Sequence, residues 1–408
     1  MDFALSERTE ELKHELLDFM ETHVYPAEPV LRSQVAAAVD PLSFEAPIKD
    51  DLKKEARSRG LWNLFLPEHK WGAGLTNLEY APLAEITGMC NELAPEALNC
   101  SAPDTGNMEL LARFGSHEQQ DRWLVPLLEG EIRSCYSMTE PEVASSDASN
   151  IKTSIVRDGD EYVVNGRKWW SSGAMRARCE LLVVMGVSNP DADPHHRHSM
   201  ILVPRDTPGV NIIRSVPVFG YTHPTFGGHA EIVYDNVRVP AEDLLGEEGN
   251  SFGMAQARLG PGRIHHCMRL LGQAERALEL MCRRAHERVA FGKKLAEQGV
   301  VQEWIADARI EIEQARLLVL KTAWLMDTIG NKGAKTEISA IKVSVPAVVS
   351  RVHDHAIQVF GGAGLSDDFP LASFYTDARY LRIGDGPDEV HRMSVARREL
   401  RKYEAPSV

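Results

Sequence analysis

Hydroxyls, backbone amides and two tryptophans crowd into the stretch Tyr136–Ala174. It reads Y-S-M-T-E-P-E-V-A-S-S-D-A-S-N, then a strand pair turned at Asn165-Gly166, then K-W-W-S-S-G-A. Ser137, Thr139, Ser145 and Ser146 can donate hydrogen bonds to a flat, acceptor-rich ring or to phosphate. Trp169 and Trp170 beside Ser171 and Ser172 offer stacking with donors at the edge, which a tricyclic cofactor needs. The plain alternative is a hairpin with a core tryptophan, and local pattern alone favours it. A second cluster, G-D-G-P-D-E-V-H-R, brings together Asp385, Asp388 and Glu389. Pro387 fits the first position of a helix, so locally this reads as an acidic helix start capped by Asp385 or Asp388.

The rest of the chain must position these groups. Its 408 residues suffice for two or three units sharing a large core, and 43% hydrophobic residues make it an ordinary globular chain. A net charge of -14 argues against nucleic acid as a main partner. A polyanionic ligand would need a local basic patch. The six cysteines form no C-x-x-C pair and no zinc-spaced cluster, so no metal is expected. They read as reduced thiols, and the acidic start Met1-Asp2-Phe3-Ala4 has no leader character, so a cytoplasmic location is expected. No run of eighteen apolar residues exists.

Helical periodicity fills the first third, including 6–33 with Ser6 as N-cap, 49–60, 77–99 and 118–129, with a turn at Pro103–Asn107. From about 135 to 245 the period changes to β-branched, alternating runs separated by turn residues, which predicts a small barrel or sandwich. Asn165-Gly166 reads as a hairpin turn. Four helical segments follow at 251–288, 298–330, 334–360 and about 387–403, predicting an antiparallel four-helix bundle.

T-E-P followed by S-D, then K-x-W-x-S, resembles the flavin-binding middle of the acyl-CoA dehydrogenases. Further motifs extend the resemblance over nearly the whole chain: Gly115-x3-Gln119-x3-Trp123-Leu124, Arg288-x-x-Phe291-Gly292-Lys293, and Gln358-x-x-Gly361-Gly362-x-Gly364. The wording G-P-G-R-I-H-H-C-M-R, S-A-P-D-T-G-N-M and G-D-G-P-D-E-V-H resembles the subgroup that includes the animal members numbered ten and eleven. The implied fold class is α+β: an N-terminal helical domain over 1–134, a middle β-barrel domain over 135–246 as flavin platform, and a C-terminal four-helix bundle over 247–408.

The resemblance implies noncovalent FAD. Tyr136, Met138 and Thr139 fall at its pyrimidine end, Trp170 on the isoalloxazine, and the Ser172 hydroxyl as a donor at the N5/O4 edge. Ser146 takes the serine of the first loop, for cofactor and substrate, but the loop is one residue longer than usual and lacks a glycine, so Ser145 stays open. Arg288 and Phe291 are directed into a neighbouring subunit's FAD, implying a homodimer or homotetramer. Gln358, Gly361 and Gly362 fall at the adenosine diphosphate portion, although Gly299 stands where relatives have a glutamine. Pro387 and Glu389 join the cofactor contacts. Arg263 takes the position of the CoA-contacting arginine and Gly386 joins the substrate contacts. Asp385 occupies the position of the catalytic glutamate, one methylene shorter.

The implied reaction is α,β-dehydrogenation of an acyl-CoA thioester, as in fatty-acid β-oxidation, with electrons passed to an electron-transferring flavoprotein. A flavin oxidase on the same fold, resembling nitroalkane oxidase, also uses an aspartate base and is the alternative. A non-catalytic helical interaction protein is the third reading. A yellow protein excludes that last one, and rapid oxygen consumption with substrate marks the oxidase.

Overall fold

The computed structural model describes residues 3–404, which divide into two compact units. One is built from Thr22–Gly74 and Glu96–Gly262, the other from Met1–Glu21, Leu75–Pro95 and Arg263–Val408.

The first unit holds the sheet. Its strands are β1 (Arg133–Ser137), β2 (Ser154–Asp158), β3 (Glu161–Ser172), β4 (Cys179–Val187), β5 (His198–Pro204), β6 (Val210–Ser215), β7 (His229–Pro240) and β8 (Leu244–Leu245). Their order is β6-β7-β3-β2-β4-β5-β8, with β1 paired in parallel to β4. Alternate side chains point to one face of a strand. Cys135, Ile155, Val164, Leu182, Ile201 and Ile232, from six different strands, meet in one fully buried core, so the sheet wraps around it.

Two expected turns are replaced. β3 runs through Asn165-Gly166, and the β2–β3 hairpin closes at Asp158-Gly159, itself a turn signal in the sequence, with Gly159 at φ 65°. Asn165 Oδ1 accepts the Asn236 N–H at 2.8 Å, and the β3–β7 register shifts between Val164 and Gly166. A side chain at Gly166 would collide with Thr153, so the glycine permits close strand approach rather than a turn. Likewise Asp104–Phe114 is already helical where a turn over Pro103–Asn107 was expected. Buried Asp104 accepts the Ser134 N–H at 2.7 Å and its hydroxyl at 2.6 Å, which draws the first turn of that helix onto β1.

In the second unit Ser6 caps the helix Glu7–Phe19, as the sequence predicts. The helices Ser251–Glu287 (from Arg263 onward), Gly299–Gly333, Lys335–Phe360 and Asp388–Arg401 match the four expected long segments. Gly330, φ 71°, breaks the second of them near its end. A further helix, Leu371–Tyr380, buries Leu371, Phe374 and Ala378 on one face. Helix Asn77–Gly88 lies backbone-close on the Arg263 segment: a side chain on Gly88 would strike the Arg269 carbonyl, and one on Gly272 the Glu85 carbonyl. Among the described residues no helix is long and apolar enough to cross a membrane.

Candidate functional site

The sheet presents Trp170 through a bulge. In the β3–β7 pairing Lys168 faces Ile232 and Ser171 faces Ala230, so Trp169 and Trp170 together stand opposite Glu231. Bulges of this kind re-aim a side chain. Trp170 takes a left-handed φ of 54°, uncommon and costly for a bulky residue, and its ring lies 5.4 Å from that of His229. Two residues on, Ser172 Oγ is 2.8 Å from His229 Nδ1, and His229 Nε2 is 3.1 Å from His223 Nδ1. Burial, with His223 adding to it, pushes His229 down to about 3, so its ring is neutral.

The T-E-P loop is tied down beside these groups. Lys168 Nζ donates to the Met138 carbonyl at 2.7 Å and to Glu140 at 2.8 Å. Burial pushes this lysine down to about 8 against the pull of Glu140. Glu140 also accepts the N–H groups of Lys152 and Thr153, both at 2.8 Å, so the glutamate of T-E-P organises the loop. The Thr139 carbonyl accepts the Trp169 N–H at 3.0 Å. Ser145 Oγ accepts the Glu140 N–H at 2.9 Å and closes the loop, whereas Ser146 is exposed. Tyr136, Met138 and Thr139 are half-buried, and the Arg258 guanidinium sits 4.0 Å over the Tyr136 ring.

In the other unit the turn Gly384-Asp385-Gly386 lies between helices Leu371–Tyr380 and Asp388–Arg401. Asp385 has φ 56° and Gly386 φ 107°. Buried side chains hold this turn by its backbone. Lys342 Nζ donates to the carbonyls of Leu381 (2.6 Å) and Gly384 (2.8 Å). Arg263 Nε donates to the Asp385 carbonyl at 3.1 Å, and His391 Nε2 lies 3.2 Å from the same oxygen. Burial lowers both Lys342 and Arg263, with Asp385 opposing the shift, and pushes His391 down to about 4, helped by Arg263. Asp385 Oδ2 is 3.5 Å from His266 Nε2. Arg269 Nη2 is 3.4 Å from His266 Nδ1. A guanidinium only donates, so Nδ1 accepts and Nε2 carries its hydrogen toward Asp385.

The helix-capping reading of the acidic cluster does not hold. Pro387 is the N-cap residue of Asp388–Arg401 rather than its first helical residue, and no side chain caps that end. Asp388 is buried and accepts from Arg382 Nε at 2.8 Å. Glu389 is 80% exposed, 3.7 Å from Arg392. A side chain on Gly386 would come within 2.9 Å of His391 Nε2.

Arg288 and Phe291 stand at a small hairpin, Val289–Ala290 against Lys293–Lys294; Phe291 has φ 52° and is fully exposed. Gln358 is exposed near the end of Lys335–Phe360, and a Cβ on Gly361 or Gly362 would meet nothing within 4 Å. The structure thus brings Arg263, Asp385 and Gly386 together in one unit, and Tyr136, Trp170 and Ser172 onto one sheet in the other, with Thr139 in the loop after β1. Sequence reasoning passed over Lys168, His223, His229, His266, Lys342 and His391. Lys168 and His391 stood inside the quoted motifs without a role, and the pair His265-His266 lay beside Arg263.

Family models for the N-terminal, middle and C-terminal domains of acyl-CoA dehydrogenase match residues 6–131, 135–237 and 249–400. The chain belongs to the acyl-CoA dehydrogenase family. Members of this family are flavoprotein oxidoreductases acting on CH–CH bonds. "Probable acyl-CoA dehydrogenase FadE2" of Mycobacterium tuberculosis is 59% identical over 98% of this chain and 97% of its own length. Acyl-CoA dehydrogenase family member 10 of Mus musculus is 56% identical, and family member 11 of Homo sapiens 53%, each over 98% of this chain. The chain spans only 37% and 51% of those two proteins. A solved structure of a candidate acyl-CoA dehydrogenase from Mycobacterium abscessus has a TM-score of 0.96 at 51% identity, covering 98% of this chain and 100% of that one.

The residues present suit the family's flavin. An indole is offered on a strained bulge beside a hydroxyl. Trp169 Nε1 is buried without an acceptor among the described residues. Open space lies over Gly361 and Gly362, where backbone amides can approach a phosphate.

Proposed function

We propose that this acyl-CoA dehydrogenase converts an acyl-CoA thioester to the trans-2-enoyl-CoA, with Asp385 as the base that takes the α-proton. The observation that carries this reading is the left-handed Asp385 turn, gripped through its carbonyls by Lys342 and Arg263. Such strain persists only where the surroundings over-determine it, and it concentrates at active sites. Fixing the backbone fixes the carboxylate, which is what a base one methylene short of the usual glutamate requires.

An α-proton of a thioester is far too weakly acidic for an unassisted carboxylate, so charge developing on the thioester oxygen needs donors. The Asp385 backbone N–H is the donor this chain supplies. Tyr136, Met138, Thr139, Trp170 and Ser172 would hold the flavin ring, with Ser146 at the loop rim. Arg288, Phe291, Gln358, Gly361, Gly362, Pro387 and Glu389 would hold the rest. FAD, when bound, supplies the acceptor for the β-hydrogen and its electron pair. Arg263 and Gly386 border the substrate at the base.

An electron-transferring flavoprotein is the proposed acceptor of the electrons. The exposed Phe291 supports a homodimer or a dimer of dimers, in which Arg288 reaches a neighbour's cofactor. The ranges matched by the three family models support 1–134, 135–246 and 247–408 as domains. The test is an anaerobic panel of acyl-CoAs added to FAD-loaded protein and followed by flavin bleaching. Bleaching by at least one saturated acyl-CoA supports the reading. A protein that binds FAD yet bleaches with none, or that consumes oxygen rapidly with a nitroalkane, contradicts it.

A further inference from the structure

Ser172 is assigned to the flavin above, but His229 and His223, which stand in a row behind it, have no part in those assignments. Ser172 and His229 are directly opposite each other across β3 and β7, so the register itself sets their contact. His229 is buried, and the outer end of the row is fixed by its backbone. The His223 carbonyl accepts the N–H groups of Phe226 and Gly228, both at 3.1 Å. His223 itself takes a left-handed φ of 50°. A strained residue held by two hydrogen bonds so that its ring meets a buried imidazole is a built arrangement rather than a chance surface contact.

The tautomer of His229 sets the direction of the serine hydroxyl. A neutral imidazole has one donor and one acceptor nitrogen, and the bond made by one fixes the role of the other. Nε2–H is the commoner tautomer of neutral histidine. Donated to His223 Nδ1, it leaves His229 Nδ1 to accept the Ser172 O–H. The lone pairs of Ser172 are then turned away from the row. They can receive an N–H but cannot donate to a bare ring nitrogen. Oxidised flavin N5 accepts only, whereas reduced N5–H donates. We propose that His229, braced by His223, holds the Nε2–H tautomer and is a positioning residue that orients Ser172 as an acceptor toward the flavin and thereby favours its reduced form. This differs from the donor role the sequence implies for Ser172, and it rests on the FAD reading given above.

The test compares midpoint potentials of FAD-loaded wild type, Ser172→Ala, His229→Phe, His229→Asn and the Ser172→Ala/His229→Phe double variant, with FAD stoichiometry measured for each. Ser172→Ala and His229→Phe should lower the potential by the same amount, and the double variant should fall no further. His229→Asn, whose Oδ1 reproduces the acceptor at Nδ1, should return the potential close to wild type. A flavin-loaded His229→Phe protein with wild-type potential overturns the proposal, as does full additivity in the double variant. If His229→Phe does not fold, His229→Asn and His223→Leu carry the test: the first should keep the potential and the second should lower it, and equal potentials in both overturn the idea. Wild-type protein that takes up no FAD overturns the flavin reading itself, an outcome distinct from these.

Discussion

The guanidinium of Arg263 donates from Nε to the backbone carbonyl of Asp385 at 3.1 Å. An arginine expected from sequence to meet CoA is therefore engaged in shaping the turn that carries Asp385, the proposed base. Arg263→Gln should retain FAD but reduce it about 10- to 100-fold more slowly, since a misplacement near 1 Å costs on that order. Steady-state kinetics separate the roles: loss in kcat marks positioning, whereas a raised KM with kcat unchanged marks CoA binding.

Lys342 is 1% exposed and gives charged hydrogen bonds to the carbonyls of Leu381 and Gly384. Lys342→Met should lower unfolding stability by about 2–4 kcal/mol, because charged hydrogen bonds contribute about 1.5–3 kcal/mol each and the desolvated cation is relieved. A urea titration checks this, and an unchanged midpoint would remove Lys342 from the account.

Buried histidines set the acid limit, and burial also holds His265 well below and His198 below the ordinary imidazole value. Burial pushes His229 and His353 down to about 3 and His391 to about 4. In the unfolded chain each titrates near 6.5. Between about pH 6.5 and 4 the unfolded chain therefore binds more protons, and stability falls as pH falls. The joint slope of His229, His353 and His391 approaches about 4 kcal/mol per pH unit, to which His265, His198 and the carboxylates add. Above pH 6.5 their stabilisation is complete. Urea midpoints against pH should show at least this slope, and His353→Leu should reduce it by about 1.4 kcal/mol per pH unit.

The helical and strand-rich thirds were legible because periodicity is a property of single segments. Ser6 declared a helix start, and runs such as Cys179–Val187 declared strands. What was not legible depends on partners distant in sequence. Asn165-Gly166 has turn composition, yet Thr153 and Asn236 make it a bulge. The Ser172–His229 contact follows from the β3–β7 register, which no local pattern reveals. Helix Leu371–Tyr380 has only ten residues and no capping side chain, so its signal was weak. Asp385 was reached through a family resemblance; its local composition pointed to helix capping, a role the observed turn does not give it.

Phe291 is fully exposed on a left-handed hairpin tip beside Arg288. Phe291→Ser should shift the oligomer toward monomer, and Arg288→Ala should weaken FAD retention without altering the fold. Light scattering and flavin absorbance after gel filtration measure both. A flavin-loaded monomeric wild type would contradict the shared-site assembly.

Asp388 is buried against Arg382 and Glu389 points to solvent, which leaves Asp385 as the proposed base among the three carboxylates. Asp388→Asn and Glu389→Gln should reduce their flavin at rates near wild type. The decisive measurement is anaerobic, single-turnover flavin reduction of FAD-loaded Asp385→Asn by an acyl-CoA that bleaches the wild type. The expected result is intact FAD and acyl-CoA binding with reduction slowed by several orders of magnitude. Reduction of Asp385→Asn at the wild-type rate would contradict the assignment of the base.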